Sequence, residues 1–172
     1  MKIAILGYSG SGKSTLAQAL GRRYGVPVLH LDSLHFFPGW VERPRSEERE
    51  ILGAFLDEHE AWVIDGNYTK LHYERRLDEA DRIVIFQFGR LACLYRVWKR
   101  YRTYRHSSRP DMAAGCPEKL DRAFLRWVLR DGRSRDKREG YRRIQAKYPQ
   151  KVIVLKTQRQ LDTFTQKLME EN

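Results

Sequence analysis

The chain is poor in cysteine and has no long apolar run. Its two cysteines, Cys93 and Cys116, form no Cys-x-x-Cys or Cys-x-x-His pattern, so we expect two reduced thiols and no zinc site. No apolar segment approaches the roughly 20 residues that a membrane helix needs. The first apolar stretch, residues 3–6, is too short for a signal peptide. We therefore expect a cytoplasmic protein without a membrane partner.

Acidic residues are missing from a long central stretch. Residues 82–110 contain eight Lys and Arg and no Asp or Glu, and the whole chain of 172 residues has a formal net charge of +11. Such an excess indicates polyanionic partners, which include nucleotide phosphates, nucleic acid and acidic membrane surfaces. Charge alone does not choose among them.

Short apolar segments alternate with helical patterns. Strands are predicted at residues 2–6, 28–31, 61–64, 82–86 and 152–155. Helices are predicted at 13–24, from an N-cap at Ser46, at 71–77, 90–105, 118–147 with a break near Gly132, and 160–169, with an aromatic-rich loop before Ser46. This order predicts an α/β fold in which helices cover both faces of a five-stranded parallel sheet. We expect one nucleotide-binding domain over residues 1–172, with a mobile lid at about 96–135.

Residues 7–14, Gly-Tyr-Ser-Gly-Ser-Gly-Lys-Ser, match the phosphate-loop motif G-x-x-x-x-G-K-[ST] in full. The motif follows a predicted strand and opens a predicted helix, where successive backbone N–H groups form an anion cradle. Lys13 is expected to contact the β- and γ-phosphates, Ser14 to ligate Mg²⁺, and Thr15 to bond the α-phosphate. The full set expected to hold the triphosphate is Gly7, Ser9, Gly10, Ser11, Gly12, Lys13, Ser14 and Thr15. The absence of a guanine-reading Asn-Lys-x-Asp motif favours ATP.

Two acidic residues follow predicted strands. Ligands of such sheets bind outside the carboxyl ends of the strands, where Asp32 and Asp65 are expected to face the phosphate loop. Asp65 is the candidate second anchor for Mg²⁺. Asp32 has three candidate roles: orienting a water on the metal, holding the acceptor, or taking its proton as a general base. No glutamate follows Asp65, which favours transfer to a bound acceptor over hydrolysis.

The helix from Arg90 is predicted to be amphipathic. Its apolar stripe is expected in the core (Leu94, Val97, Trp98, Tyr101 and Tyr104), and its basic residues on the opposite, outer face (Arg96, Lys99 and Arg100). Phosphoryl transfer needs cations around the migrating group, and a closing lid can deliver them. Candidates for this role are Arg96, Arg100, Arg105, Arg109, Arg133 and Arg135, of which Arg96, Arg100 and Arg135 are the preferred three. The alternative use of this basic face is contact with nucleic-acid phosphates.

Several segments resemble the adenylate kinase-like P-loop kinases: residues 7–14, 31–32, 64–68, 80–82 and the arginine-bearing lid. Residues 109–112 and 115–121 resemble more closely the proteins called DNA topology modulation proteins. The resemblance implies a three-layer P-loop fold, ATP as donor and a lid between the fourth and fifth strands. Adenylate kinases carry Asp-Gly-Phe-Pro-Arg after the third strand, where the arginine holds the acceptor phosphate. Here Asp65-Gly66 is followed by Asn67-Tyr68-Thr69, so that arginine is missing, and Arg75 and Arg76 are candidates to replace it.

Three hypotheses follow from the sequence. The first is an ATP- and Mg²⁺-dependent kinase that phosphorylates a small acceptor, such as a nucleoside, a nucleotide or another hydroxyl compound. The second is an ATP-regulated nucleic-acid-binding protein without kinase activity, as the topology name implies, although no DNA- or RNA-binding motif is present. The third is a nucleotide-binding module without catalysis, which predicts that Asp32 and Asp65 point away from Lys13.

Overall fold

The computed structural model describes residues 1–170 and contains the predicted parallel sheet. The strands are β1 (Lys2–Gly7), β2 (Val28–His30), β3 (Phe36–Phe37), β4 (Val41–Glu42), β5 (Trp62–Asp65), β6 (Arg82–Phe86) and β7 (Val152–Leu155). Five of them form an all-parallel sheet in the order β2-β5-β1-β6-β7. After β1 the chain builds one side of the sheet and later crosses to the other, which makes the carboxyl end of β1 the expected ligand position.

Helices connect the strands. They are α1 (Lys13–Tyr24), α2 (Leu31–His35), α3 (Arg45–Glu58), α4 (Tyr73–Glu79), α5 (Arg90–Tyr104), α6 (Arg122–Leu129), α7 (Arg135–Lys147) and α8 (Gln158–Glu170). A short 3-10 helix at Asp131–Arg133 separates α6 from α7, which confirms the predicted break near Gly132. Within residues 1–170, none of these helices has the length and apolar character required to cross a bilayer.

The core is built on the central strands. Residues 3–7 of β1 and 83–86 of β6 are buried without alternation, as are all four residues of β5. Continuous burial means that both faces of the sheet are covered, the pattern expected of a parallel sheet. Trp62 and Phe86 are among the largest fully buried side chains. Cys93 and Cys116 are buried free thiols, as expected.

The segment between β2 and α3 differs from the prediction. It contains α2 and a small antiparallel hairpin of β3 and β4 where a loop was expected. The predicted N-cap at Ser46 is also wrong. Helix α3 begins at Arg45 after Pro44, and no side chain caps it. Ser46 lies inside the first turn, and Pro44 occupies the N-cap position in its place.

Candidate functional site

The phosphate loop connects β1 to α1 in a conformation that requires glycine at two positions. Gly10 has φ +74°, and a Cβ there would lie 2.5 Å from Cγ2 of Val97 and 2.7 Å from the carbonyl oxygen of Cys93, both on α5. Gly12 has φ +100°, directly before the first turn of α1. Positive φ values are strained for side-chain-bearing residues. The loop therefore packs against α5 and delivers the unpaired N–H groups of the α1 N-terminus to the cavity.

The side chains of the loop contact the loop itself and helix α6. Nζ of Lys13 donates to the carbonyl oxygen of Tyr8 at 3.1 Å, and Oγ of Ser11 donates to the same oxygen at 2.7 Å. From α6, Nε1 of Trp127 donates to Oγ of Ser9 at 3.1 Å. Nζ of Lys137 lies 3.6 Å from the centre of the Trp127 ring. Sequence reasoning missed this contact because Trp127 is 118 positions away from Ser9.

Asp65 lies at the carboxyl end of β5 and faces the start of α1. Its Oδ2 accepts a hydrogen bond from Oγ of Ser14 at 2.6 Å and lies 3.2 Å from Nδ1 of His30. Burial alone would raise the pKa of Asp65, but the contact with His30, the charge of Lys13 and the bond from Ser14 together hold it below 3.8. Asp65 is therefore a carboxylate at neutral pH.

The second oxygen of Asp65 tests whether Mg²⁺ fits this site. Oδ1 is buried and has no hydrogen-bond partner, which is costly for an ionised group unless a ligand or water satisfies it. Ser14 and Asp65 supply the hard oxygens that Mg²⁺ prefers, and Mg²⁺ commonly takes only one or two protein ligands beside phosphate oxygens and water. No group of three or more His, Cys, Asp or Glu side chains able to hold a metal occurs among residues 1–170. The residues present thus fit a magnesium ion that is shared with a bound triphosphate.

Asp32 is placed differently from Asp65. It lies in the first turn of α2, is exposed, and lines the same cavity as the phosphate loop. Its Oδ1 accepts a hydrogen bond from the hydroxyl of Tyr68 at 2.8 Å. Burial, with Asp32 as a further cause, raises the pKa of Tyr68 well above its usual range, so the phenol stays protonated and donates to Asp32.

Arg96 and Arg100 both point toward the cavity, so the predicted outer face of α5 is wrong for these two residues. Nη1 of Arg96 donates to the carbonyl oxygen of Ser11 at 2.6 Å. Arg100 pairs with Glu118, and burial lowers its pKa, with Arg109 as the next cause. Conversely, Trp98 was expected in the core and is 43% exposed, although Val97 is buried as predicted.

Arg135 is not brought to the site. Its side chain is 85% exposed and pairs with Glu139 one helical turn away, and it is absent from the cavity lining. Arg133 is the buried residue instead. It donates from Nε to Val128 and from Nη1 to Phe88, both at carbonyl oxygens, and its guanidinium lies 4.0 Å from the centre of the Tyr8 ring. The 3-10 turn before α7 rotates the chain, so helical spacing alone could not separate these two arginines.

Asn67 follows the neighbouring strand β5 and holds the phosphate loop. Its Oδ1 accepts from the N–H of Gly7 at 3.0 Å, and its Nδ2 donates to the carbonyl oxygen of Gly7 at 2.8 Å. The hydroxyl of Tyr141 also lies 3.2 Å from Oδ1 and donates to it. Sequence reasoning assigned Asn67 no role of its own, because the missing arginine falls two positions later, at Thr69. The structure shows that Asn67 clamps Gly7 through both atoms of its side-chain amide.

Neither candidate for the missing arginine reaches the cavity. Arg76 is completely buried and donates to the carbonyl oxygens of Leu71, Gly66 and Tyr68 at 3.1, 3.2 and 2.9 Å. Arg75 pairs with Asp57 and Glu79 at 2.7 and 2.6 Å on the surface. The expectation that one of them holds an acceptor is therefore wrong, because both guanidinium groups bond within the protein and neither lines the cavity.

One cavity joins these elements. Its volume is about 2390 Å³, and the phosphate loop, Asp65, Asp32, Arg96 and Arg100 all line it. Small-molecule sites commonly occupy about 300–1000 Å³. The cavity is thus large enough for a nucleoside triphosphate and a second ligand.

Comparison with solved structures identifies the fold. A deoxyadenosine kinase from M. mycoides with bound dATP is similar over 98% of this chain and 99% of its own, with 16% identity and a TM-score of 0.54. An uncharacterized protein from Eubacterium ventriosum is similar over 99% of this chain and 96% of its own, with 16% identity and a TM-score of 0.52. At these identities the likeness shows the fold alone, which is that of the P-loop kinases.

Sequence comparison adds no family. No protein-family model matches the chain, and no curated protein matches it either. The expected P-loop α/β fold with a five-stranded parallel sheet is confirmed. The closer resemblance to DNA topology modulation proteins finds no support in these comparisons and stays a prediction.

Proposed function

We propose that this protein is a Mg²⁺-dependent phosphotransferase that moves the γ-phosphoryl group of ATP to a small acceptor. The observation that carries the proposal is the single cavity in which the phosphate loop, the Ser14–Asp65 pair and Asp32 meet. A switch or storage module needs only the loop and the metal site. A second, exposed carboxylate beside empty space for another ligand is what a transferase needs in addition.

Each residue has a separate role in this proposal. The loop from Gly7 to Thr15 binds the triphosphate with backbone N–H groups, and Lys13 contacts the β- and γ-phosphates once it leaves the carbonyl oxygen of Tyr8. Ser14 and Asp65 hold Mg²⁺, which when bound neutralises charge on the phosphates. Arg96, which already contacts the phosphate loop, supplies positive charge from α5, whereas Arg100 stays paired with Glu118.

Asp32 acts on the acceptor. Its carboxylate orients the acceptor hydroxyl and accepts its proton as the hydroxyl oxygen forms a bond to the γ-phosphorus and ADP leaves. The bond from Tyr68 keeps the carboxylate in place. The pair is exposed to the cavity, so it can meet a substrate that enters from solvent.

The test is ADP release, measured with Mg²⁺ and a panel of hydroxyl acceptors. One acceptor should raise the rate sharply, and Lys13→Met should reduce that rate by at least 100-fold. Lys167→Met removes the same charge from an exposed position on α8 and serves as the control. A slow ATPase rate that no acceptor changes would overturn the proposal.

A second function is favoured by one observation. Leu91, Tyr95 and Trp98 are 79%, 62% and 43% exposed on one side of α5, and the guanidinium of Arg102 lies 5.0 Å from the centre of the Trp98 ring. Exposed aromatics beside basic residues are typical of proteins that bind single-stranded nucleic acid. This surface is separate from the contacts of Arg96 with the phosphate loop. Nucleic-acid binding at this surface would therefore not depend on whether the protein is a kinase.

A further inference from the structure

The end of the cavity away from the phosphate loop has its own chemistry. We call it the acceptor end and define it by Asp32, Phe36, Trp40, Glu42 and Tyr68, all of which line the cavity. The rings of Phe36 and Trp40 lie 5.1 Å apart in an edge-to-face arrangement. The acceptor end therefore offers three aromatic side chains, of which Tyr68 is bonded to Asp32, and two exposed carboxylates, those of Asp32 and Glu42.

The lid closes over this end through contacts with the β3–β4 hairpin. Nε1 of Trp40 donates to the carbonyl oxygen of Pro117 at 3.2 Å, and the N–H of Gly39 donates to the carbonyl oxygen of Gly115 at 3.1 Å. Sγ of Cys116 lies 3.4 Å from the carbonyl oxygen of Phe37 and donates to it. The hairpin and the lid loop thus form one wall, although some 75 positions separate them in sequence.

The arginines of this wall are already paired. Glu118, whose side chain is 4% exposed, pairs with Arg100 and with Nε of Arg109, the latter at 2.8 Å. Asp111 pairs with Nη1 of Arg109 at 2.8 Å. The two arginines and two carboxylates carry no net charge together. Moving an arginine to a ligand would leave a buried carboxylate without its partner, which is strongly unfavourable.

The arginines behind the acceptor end are paired as well. Arg43 donates to the carbonyl oxygen of Leu34 at 2.8 Å and pairs with Glu47, while Arg45 pairs with the buried Glu48 at 3.3 Å. Lys119 is the lysine of this wall, and its Nζ lies 5.1 Å from the centre of the Trp40 ring. Nε2 of His35 also lies 3.8 Å from Oε1 of Glu42. Counted with neutral histidine, one exposed lysine faces two exposed carboxylates, so the acceptor end is net negative.

We infer that the acceptor is a hydroxyl compound without a phosphate or carboxylate group, neutral or cationic, whose flat ring packs against Phe36 and Trp40. The inference deepens the proposed kinase function and rests on it. A phosphate-bearing acceptor would bring negative charge next to Asp32 and Glu42, where no unpaired arginine could bind the phosphate. A ring that bears hydroxyl groups would instead pack against the aromatic side chains and donate a hydrogen bond to Asp32.

Matched pairs of nucleosides and their 5′-monophosphates test the inference, since the two members of a pair differ only in the phosphate. Binding is measured as a shift in melting temperature, with the phosphate loop saturated by a non-hydrolysable ATP analogue and Mg²⁺ so that neither member can occupy it. At least one nucleoside should raise the melting temperature, and its monophosphate should bind at least tenfold more weakly. Equal or tighter binding of the monophosphates, or no response to any nucleoside, overturns the inference.

A charge-reversal variant sharpens the test. Glu42→Lys should reduce the preference for the nucleoside over its monophosphate at least fivefold, because it places a cation where the inference requires an anion. Glu50→Lys makes the same change at an exposed position of α3 and should leave the preference unchanged. If both variants leave the preference unchanged, the negative charge of the acceptor end does not select against phosphate-bearing acceptors. If a nucleoside binds but ATP and Mg²⁺ yield no ADP in its presence, the kinase proposal is refuted. If the ATP analogue does not bind, the proposed donor site at the phosphate loop is refuted.

Discussion

Replacing Arg76 by methionine should destabilise the protein without touching the cavity. The guanidinium makes three hydrogen bonds to carbonyl oxygens in residues 66–71 and has no acidic partner among residues 1–170. Bonds from charged donors contribute about 1.5–3 kcal/mol each. The burial of this unpaired charge opposes them, because it lowers the pKa of Arg76 to about 10. A shift of this size corresponds to a free-energy cost of roughly 3 kcal/mol for the charged form. Methionine keeps the apolar stem, so we expect a net loss of about 3 kcal/mol.

Chemical unfolding in urea measures this loss directly. A change of about 3 kcal/mol should lower the melting temperature by about 6–12 °C in a domain of this size. The neighbouring Arg75→Met is the control, since Arg75 forms exposed surface pairs that contribute about 1 kcal/mol or less. If Arg76→Met unfolds no more easily than Arg75→Met, the three carbonyl contacts do not hold residues 66–71. If it keeps its stability and loses only acceptor binding, Arg76 belongs to the acceptor site after all.

Two further predictions concern Asp65 and the exposed side of α5. Because the folded-state pKa of Asp65 is lowered, its ionisation stabilises the protein, and this contribution is lost as the pH falls through the folded-state pKa. The difference in unfolding free energy between wild type and Asp65→Asn, measured in urea, should therefore shrink as the pH falls below about 4, and a constant difference would contradict the assignment. If α5 binds single-stranded DNA, binding of a labelled oligonucleotide should depend steeply on salt, and Trp98→Ala should weaken it at least fivefold. Val41→Ala changes another exposed apolar residue and should leave binding unchanged. If the oligonucleotide shows no change in fluorescence anisotropy with the wild-type protein at 50 mM salt, this surface does not bind single-stranded DNA.

The sheet and the phosphate loop could be predicted because their signals are local. Each central strand is buried on both faces and therefore consists of a continuous apolar run, as in residues 62–64. The loop carries its own motif, and its position after β1 follows from the order of the chain. Asp65 follows β5 directly, so the same reasoning placed it beside Ser14, where the two atoms lie 2.6 Å apart.

The orientation of α5 could not be predicted because its inner neighbour is polar. Amphipathic reasoning assumes that a helix buries its apolar side and exposes its charges. Here the side that carries Arg96 and Arg100 faces the carbonyl oxygen of Ser11 and the carboxylate of Glu118, so charged residues point inward. Trp98 is displaced to the solvent side as a result. The orientation of α5 depends on the contact between Arg96 and Ser11, and no local pattern in the sequence links these two residues.

The residues that follow β5 connect the two halves of the site. Asn67 clamps Gly7 of the phosphate loop, while the next residue, Tyr68, donates its hydroxyl to Asp32 at the acceptor end. Arg76 holds both through the carbonyl oxygens on either side of Asn67. Such a segment cannot shift toward one ligand without moving its contact with the other. In the proposed kinase reaction this segment would fix the spacing between donor and acceptor, on which in-line phosphoryl transfer depends.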